Sequence, residues 1–271
     1  MKYDVRPFCK KVLTHYETGG RHTLPWRKTI DPYRILVSEM MLQQTQVDRV
    51  IPYYKCFLKR FPSARALAKA PLHDVLKEWS GLGYNRRAKF LHMAAQAIVT
   101  HHGGRTPREY AALRALRGVG EYTAKAVRTF AFDEPESLIE TNIRTALIHE
   151  FFPRGRSVRD EKLTKILEAC LCHIESPRVW YWALMDYGAF IKREHGNASR
   201  RSKVYAKQKP FAGSLREVRG SILRTLAARG KADEGLLMKD GEFDSVRIAS
   251  VLGALAHEGM IRKEKEMWRI A

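Results

Sequence analysis

The chain has 271 residues, of which 45% are hydrophobic and 10% aromatic, enough to fill the core of one large domain with a smaller appendage. That composition excludes a peptide, a lone minidomain and global disorder, and a mean hydropathy of -0.39 is that of a soluble protein. Forty-nine Lys+Arg against 29 Asp+Glu leave a net charge of +20, which favours a polyanionic partner, DNA or RNA first.

No apolar run approaches the roughly 18 residues of a membrane span, and the opening MKYDVRPFCKKVLTHYE offers no signal-peptide stretch, so a cytoplasmic location without membrane contact is expected. Of the four cysteines, only Cys170 and Cys172 are close in sequence. Their C-x-C spacing is wrong for a metal knuckle, and disulfides are not expected in a reducing compartment.

From Pro32 to about Gly196 the pattern is helical, with Pro- and Gly-rich connectors and no period-2 stretch, so the class is all-α. One helix is expected over 32–50, limited by Pro52, in which Leu36, Met40 and Val47 recur at helical spacing. Further helices are expected over 73–79, 86–101, 107–116, 121–132, 141–151, 160–174 and 177–191. The segment 197–213 gathers Arg200, Arg201, Lys203, Lys207 and Lys209 among Gly, Ser and Pro and reads as a basic linker. Beyond it, 214–271 offers two helices, the second capped by Asp244 and stopped by Gly259, followed by a weakly alternating hairpin. The expected division is a catalytic region over 1–196, a linker over 197–213 and a small winged-helix-like module over 214–271.

Three constellations bear on chemistry. The run LRGVGEYTA at 116–124 is a Gly-x-Gly turn opening a helix, which directs backbone N–H groups outward and suits a phosphate oxygen; a tight helix connection uses two glycines just as well. Glu39, Gln43 and Gln46 fall on one face of an apolar helix, where a carboxylate in a cleft can act as a general acid and amides can bond base edges; the plainer reading is a polar stripe. In ETNIR at 140–144 a carboxylate and an amide precede an apolar-periodic helix, where either one, Asn142 the better suited, can simply be the cap.

Together with LPWR at 24–27, SEMMLQQTQV at 38–47 and GLGYNRRA at 81–88, these segments resemble the helix-hairpin-helix superfamily of DNA glycosylases, most closely the A/G-specific adenine glycosylases of MutY type. The resemblance covers about residues 22–192 and implies a fold of two helical subdomains with the active site between them. It implies a monofunctional base-excision enzyme that flips out and hydrolyses adenine opposite 8-oxoguanine or G, acting as a monomer on mismatched double-stranded DNA in the nucleoid. Glu39 would protonate N7 of the adenine, Glu140 would stabilise the oxocarbenium-like sugar, Asn142 would position water or that carboxylate, and Tyr122 would approach the sugar. Bifunctional relatives carry a lysine at the Tyr122 position. Gln43, Gln44 and Tyr84 would probe and wedge the mismatch, while Gly118, Gly120, Thr123, Arg86 and Arg87 would hold the DNA backbone.

The chain departs from the family in three places. Glu140 stands where Asp is usual, the four-cysteine iron–sulfur loop is replaced by FIKREHGNASRRSKVYAK, and only about sixty residues stand where a Nudix-like domain is typical. The expectation is therefore that no iron–sulfur cluster and no other cofactor is bound. Two alternatives stay open: a thymine, uracil or modified-base glycosylase on the same scaffold, and a non-catalytic mismatch sensor.

Overall fold

The structure is a computed structural model that describes residues 4–207 and 211–271. In chain order its helices are α1 (Arg6–Gly19), α2 (Pro32–Leu42), α3 (Val47–Arg60), α4 (Ala64–Lys69), α5 (Leu72–Trp79), α6 (Arg86–His102) and α7 (Tyr110–Ala115). They continue as α8 (Glu121–Phe132), α9 (Thr141–Phe151), α10 (Asp160–Leu171), α11 (Pro177–Glu194), α12 (Leu215–Arg229), α13 (Glu234–Gly241) and α14 (Ser245–His257). Strands β1 (Lys231–Ala232), β2 (Ile261–Glu264) and β3 (Met267–Ile270) form one antiparallel sheet in the order β1-β3-β2.

The described residues gather into two compact units that interleave along the chain. One holds 4–35, 108–111 and 120–207, and the other 36–107, 112–119 and 211–271. This differs from a linear division at 196 because contacts, not sequence order, decide what packs together: 197–207 stays with α9, and the C-terminal module stays with α5 and α6.

The first unit is organised on α11, whose Trp180, Tyr181, Leu184 and Tyr187 are all buried. These positions recur at helical spacing and form one broad apolar face, which packs into the interior. It lies against α9 at Gly188, where an added Cβ would come 2.5 Å from the carbonyl carbon of Asn142 and 3.0 Å from its Cα. On the same helix Asp186 receives Arg27 Nη1 at 2.7 Å and Nη2 at 2.9 Å, and Arg21 Nε at 2.7 Å. Arg27 and Asp186 are both buried, and the pair ties the LPWR segment to α11; the two arginines hold the Asp186 carboxyl below its usual range against the opposing effect of burial.

In the second unit α3 to α6 surround buried Phe57, Leu67, Trp79 and Leu91. The 32–50 segment is not one helix: α2 stops at Leu42, Gln44 adopts φ +54°, and α3 begins at Val47, so Gln46 caps α3 and does not share a face with Glu39. Pro52 lies inside α3 instead of limiting it, since the proline removes a single N–H while Val50, Tyr54 and Phe57 keep the apolar face buried. The sequence reading also lacked α1, α4, α13 and β1.

Candidate active site

The sequence-derived residues fall into two groups, one in each unit. In the first unit, Glu140 is the N-cap of α9, and its Oε1 accepts the backbone N–H of Asn142 at 2.8 Å and of Ile143 at 2.9 Å. The cap is thus the glutamate and not Asn142, whose own part is a backbone N–H. Glutamate is outside the preferred N-cap residues, yet here its side chain folds back onto the first turn and accepts both N–H groups. Both bonds use Oε1, and no described residue bonds Oε2, so one oxygen is anchored while the other remains to meet a ligand. Burial of the carboxyl pushes its pKa up, against the two N–H bonds and the charges of Arg144 and Lys192, which favour ionisation.

Arg144 secures the same helix by a two-oxygen grip on Asp160, with Nη2 to Oδ2 at 2.7 Å and Nε to Oδ1 at 3.0 Å. Tyr122, in the first turn of α8, is half-buried. Lys125, three residues on, has its ammonium paired with Glu121 at 2.7 Å. Gly120 caps α8 in an extended conformation, and nothing lies within 4 Å of where its Cβ would be, so neither backbone strain nor packing demands glycine there. Thr123 is only 3% exposed and lies in the first turn of α8, so its backbone is the part of it that this turn can offer to a phosphate.

In the second unit Gly118 has φ +80°, and a Cβ there would sit 2.5 Å from the Cβ of Phe90. This glycine is required by fold alone. Glu39 lies near the end of α2 at 7% exposure. Just beyond, the turn carrying half-buried Gln43 and exposed Gln44 is organised by a residue 44 positions beyond Gln43. Arg87 is 7% exposed, and its Nη1 donates to the carbonyls of Met40 and Met41 at 2.8 Å and of Gln43 at 2.6 Å. Its Nη2 donates to Thr45 Oγ1 at 3.1 Å and to the Gly83 carbonyl at 3.0 Å.

The guanidinium also lies 5.5 Å from the Trp79 ring and 5.3 Å from the Tyr84 ring. Burial among neutral partners pulls its pKa down to about 10, leaving it charged at neutral pH. This corrects the expectation that Arg87 holds DNA phosphate: α2 ends with unpaired carbonyls, and Arg87 is what satisfies them. It thereby binds the Gln43–Gln44 turn and the Gly83–Tyr84 turn into one bracket. Tyr84 itself, at φ +50° and 38% exposed, presents its ring at the tip of that bracket. Arg86 keeps an exposed side chain, 5.4 Å from the Phe90 ring and 3.9 Å from Glu258.

The basic segment is partly structured as well. Asn197 Oδ1 caps a short 3₁₀ turn over Ala198–Arg201 and receives Thr145 Oγ1 at 3.2 Å. Arg201 Nη1 donates to the carbonyls of Phe152 and Pro153, both at 2.6 Å, and Val158 bridges to Ser202. Arg201 therefore closes the C-terminal end of α9, as Arg87 closes α2; Lys209 lies outside the described residues.

The donor set does not fit an iron–sulfur cluster. Cys9 and Cys170 are buried, Cys56 and Cys172 are exposed, and no group of three or more His, Cys, Asp or Glu among the described residues is placed to hold a metal. Sequence reasoning missed the roles of Arg87, Arg201 and Asp186. The one usable signal was the arginine-rich GLGYNRRA run, which marks a place but not an inward direction.

Among known proteins, the chain is 38% identical over 185 residues to the adenine DNA glycosylase of Buchnera aphidicola subsp. Baizongia pistaciae, covering 68% of this chain and 52% of that protein. It is 34% identical over 244 residues to the adenine DNA glycosylase of Mycolicibacterium smegmatis, covering 80% and 79% respectively. The chain thus spans about half the length of the first relative and most of the second. A solved thermostable thymine-DNA glycosylase superposes with a TM-score of 0.61 at 26% identity, over 72% of this chain and 91% of that one. Residues 37–211 match the HhH-GPD superfamily of base excision DNA repair proteins, and with the all-α architecture, the Gly-x-Gly hairpin and the capped carboxylate in place, the chain belongs to that superfamily.

Proposed function

We propose that this protein is a monofunctional adenine DNA glycosylase that removes adenine opposite 8-oxoguanine or G in duplex DNA. The observation that carries the choice of base is the 34% identity with an adenine DNA glycosylase along 80% of this chain. In this reading Glu39, as the carboxylic acid, delivers its proton to N7. The bond between N9 and C1′ breaks with its electron pair leaving on a neutral adenine, and C1′ takes up positive charge. Glu140, ionised and anchored through Oε1, faces that charge with Oε2; water then adds to C1′ and gives up a proton to the Glu39 carboxylate, leaving an abasic site and restoring the acid.

Monofunctional chemistry is supported by tyrosine at 122 and by the engagement of Lys125 with Glu121. Extrusion leaves a gap, for which Tyr84, Gln43 and Gln44 are the wedge. Backbone N–H groups at Gly118, Gly120 and the start of α8, together with exposed Arg86, supply affinity independent of sequence. The enzyme acts as a monomer without a cluster: the Asn197 cap and the Arg201 bonds to the end of α9 hold the segment that a cluster shapes elsewhere in the superfamily.

The test is identification of the free base released from duplexes holding A opposite 8-oxoguanine, A opposite G, T opposite G and U opposite G. Adenine from the first two lanes alone is expected. Release of thymine or uracil alone would move the protein to a pyrimidine-removing activity, and binding without release from any lane would make it a sensor.

A further inference from the structure

The C-terminal module carries eleven Lys and Arg against nine Asp and Glu between residues 211 and 271, so nearly all of the +20 charge lies elsewhere. A near-neutral module adds little to the chain's overall attraction for a polyanion, which turns attention to where it is docked. It is fastened to α6 by a cluster around Glu258 and Gly259. Lys89 Nζ donates to the carbonyls of both residues, to Gly259 at 2.8 Å, and the Glu258 carboxylate takes Arg219 of α12 and, at 3.9 Å, Arg86.

At the start of α12, Arg216 Nη1 donates to the hydroxyl of Tyr84 at 3.2 Å. Arg216 is itself steadied against Phe211, 5.9 Å from the ring centroid. Tyr84 is therefore held twice, with its ring beside Arg87 and its hydroxyl on Arg216. A half-exposed aromatic on a left-handed turn has rotamer freedom that insertion into a base stack would remove, and the two contacts remove it beforehand.

We propose that Arg216 is a positioning residue for the Tyr84 wedge, and that the C-terminal module serves excision as a strut on that tyrosine instead of as a separate DNA-binding surface. This rests on the reading of Tyr84 as the wedge.

The experiment uses the full chain with Tyr84→Ala, Tyr84→Phe, Arg216→Ala, Arg216→Lys and the Tyr84→Phe/Arg216→Ala double variant. Each is checked by thermal melting and measured for affinity on mismatched and matched duplexes across a salt series. A 2-aminopurine beside the mismatch reports base unstacking. Tyr84→Phe and Arg216→Ala should each weaken mismatch binding about 3- to 10-fold and reduce unstacking, the double variant should be no worse than the poorer single, and Arg216→Lys should recover part of the loss. The salt slope should not change, because no phosphate contact is lost.

Multiplicative losses in the double variant would overturn the strut, as would a slope reduced by about one in Arg216→Ala, which would make Arg216 a phosphate contact. A harmful Tyr84→Ala with a silent Arg216→Ala would overturn the strut and leave the wedge standing. A silent Tyr84→Ala would remove both.

Discussion

The Glu140 corner and the Gln43–Tyr84 bracket are held in opposite ways. The corner is fixed by backbone and volume: two N–H groups on Oε1, and Gly188 of α11 pressed against the Asn142 backbone. The bracket is fixed by one buried cation that satisfies carbonyls from two turns remote in sequence. The first arrangement tolerates changes of charge and fails on added bulk, whereas the second fails when a single guanidinium is lost. A carboxylate that must meet a developing cation is better set on rigid helix geometry, while a wedge that must enter a base stack can sit on turns sharing one anchor.

The largest effect should come from Glu140→Gln. The amide oxygen can still accept both N–H groups, so the corner survives, but the negative charge is gone; excision should fall about 10²- to 10³-fold in single-turnover assays. Stability should move the other way. Because the folded-state pKa of Glu140 is raised, its favourable contribution exists at low pH and is lost as pH rises through that value. Melting at pH 8 should therefore show Glu140→Gln above the wild type, with the difference vanishing below about pH 4, the unfolded carboxyl range. The excision rate of the wild type should decline with acid through a value above the ordinary glutamate range, and equal melting curves at pH 8 would remove the buried-charge argument.

Arg87→Met comes next. It leaves several carbonyls of the 40–43 and 83 backbone without a donor, at about 1–3 kcal/mol each, so a loss near 3 kcal/mol in denaturant unfolding is expected. Arg87→Lys should recover only part of this, since one ammonium cannot span both turns. Gly188→Ala should cost about 2 kcal/mol and lower excision with it, because α9 must retreat from the new methyl group and carries Glu140 along. A neutral Gly188→Ala would mean that the corner yields easily and that volume does not fix it.

The smallest effect sharpens the hairpin. Gly120→Ala meets nothing within 4 Å and should leave stability within about 0.5 kcal/mol, yet weaken binding to any duplex a few-fold if the N-terminus of α8 approaches a phosphate. Unchanged binding would reduce the second glycine to a fold element.

What the sequence showed and hid follows the same division. The bounds of α8 and α9 are read correctly because their signals are local: a Gly-x-Gly turn before 121 and a carboxylate before 141. The break at 43–46 escapes a local reading because Gln-Gln-Thr-Gln contains no strong breaker, and the group that makes the break favourable is Arg87. The same holds for Arg201 at the end of α9 and for Arg27, whose Asp186 partner lies 159 residues away. The C-terminal helices and hairpin are legible from Asp244, Gly259 and the alternation of 260–271, but their docking through Glu258 onto Lys89 is not, because the pairing is set by tertiary contacts.

The most direct test of the account is single-turnover excision of adenine opposite 8-oxoguanine by the wild type, Glu39→Gln and Glu140→Gln, with folding verified by melting. The account predicts adenine release by the wild type and loss of about 10²-fold or more in each variant, with melting temperatures at pH 8 preserved or raised for Glu140→Gln. Wild-type rates in Glu140→Gln would contradict it.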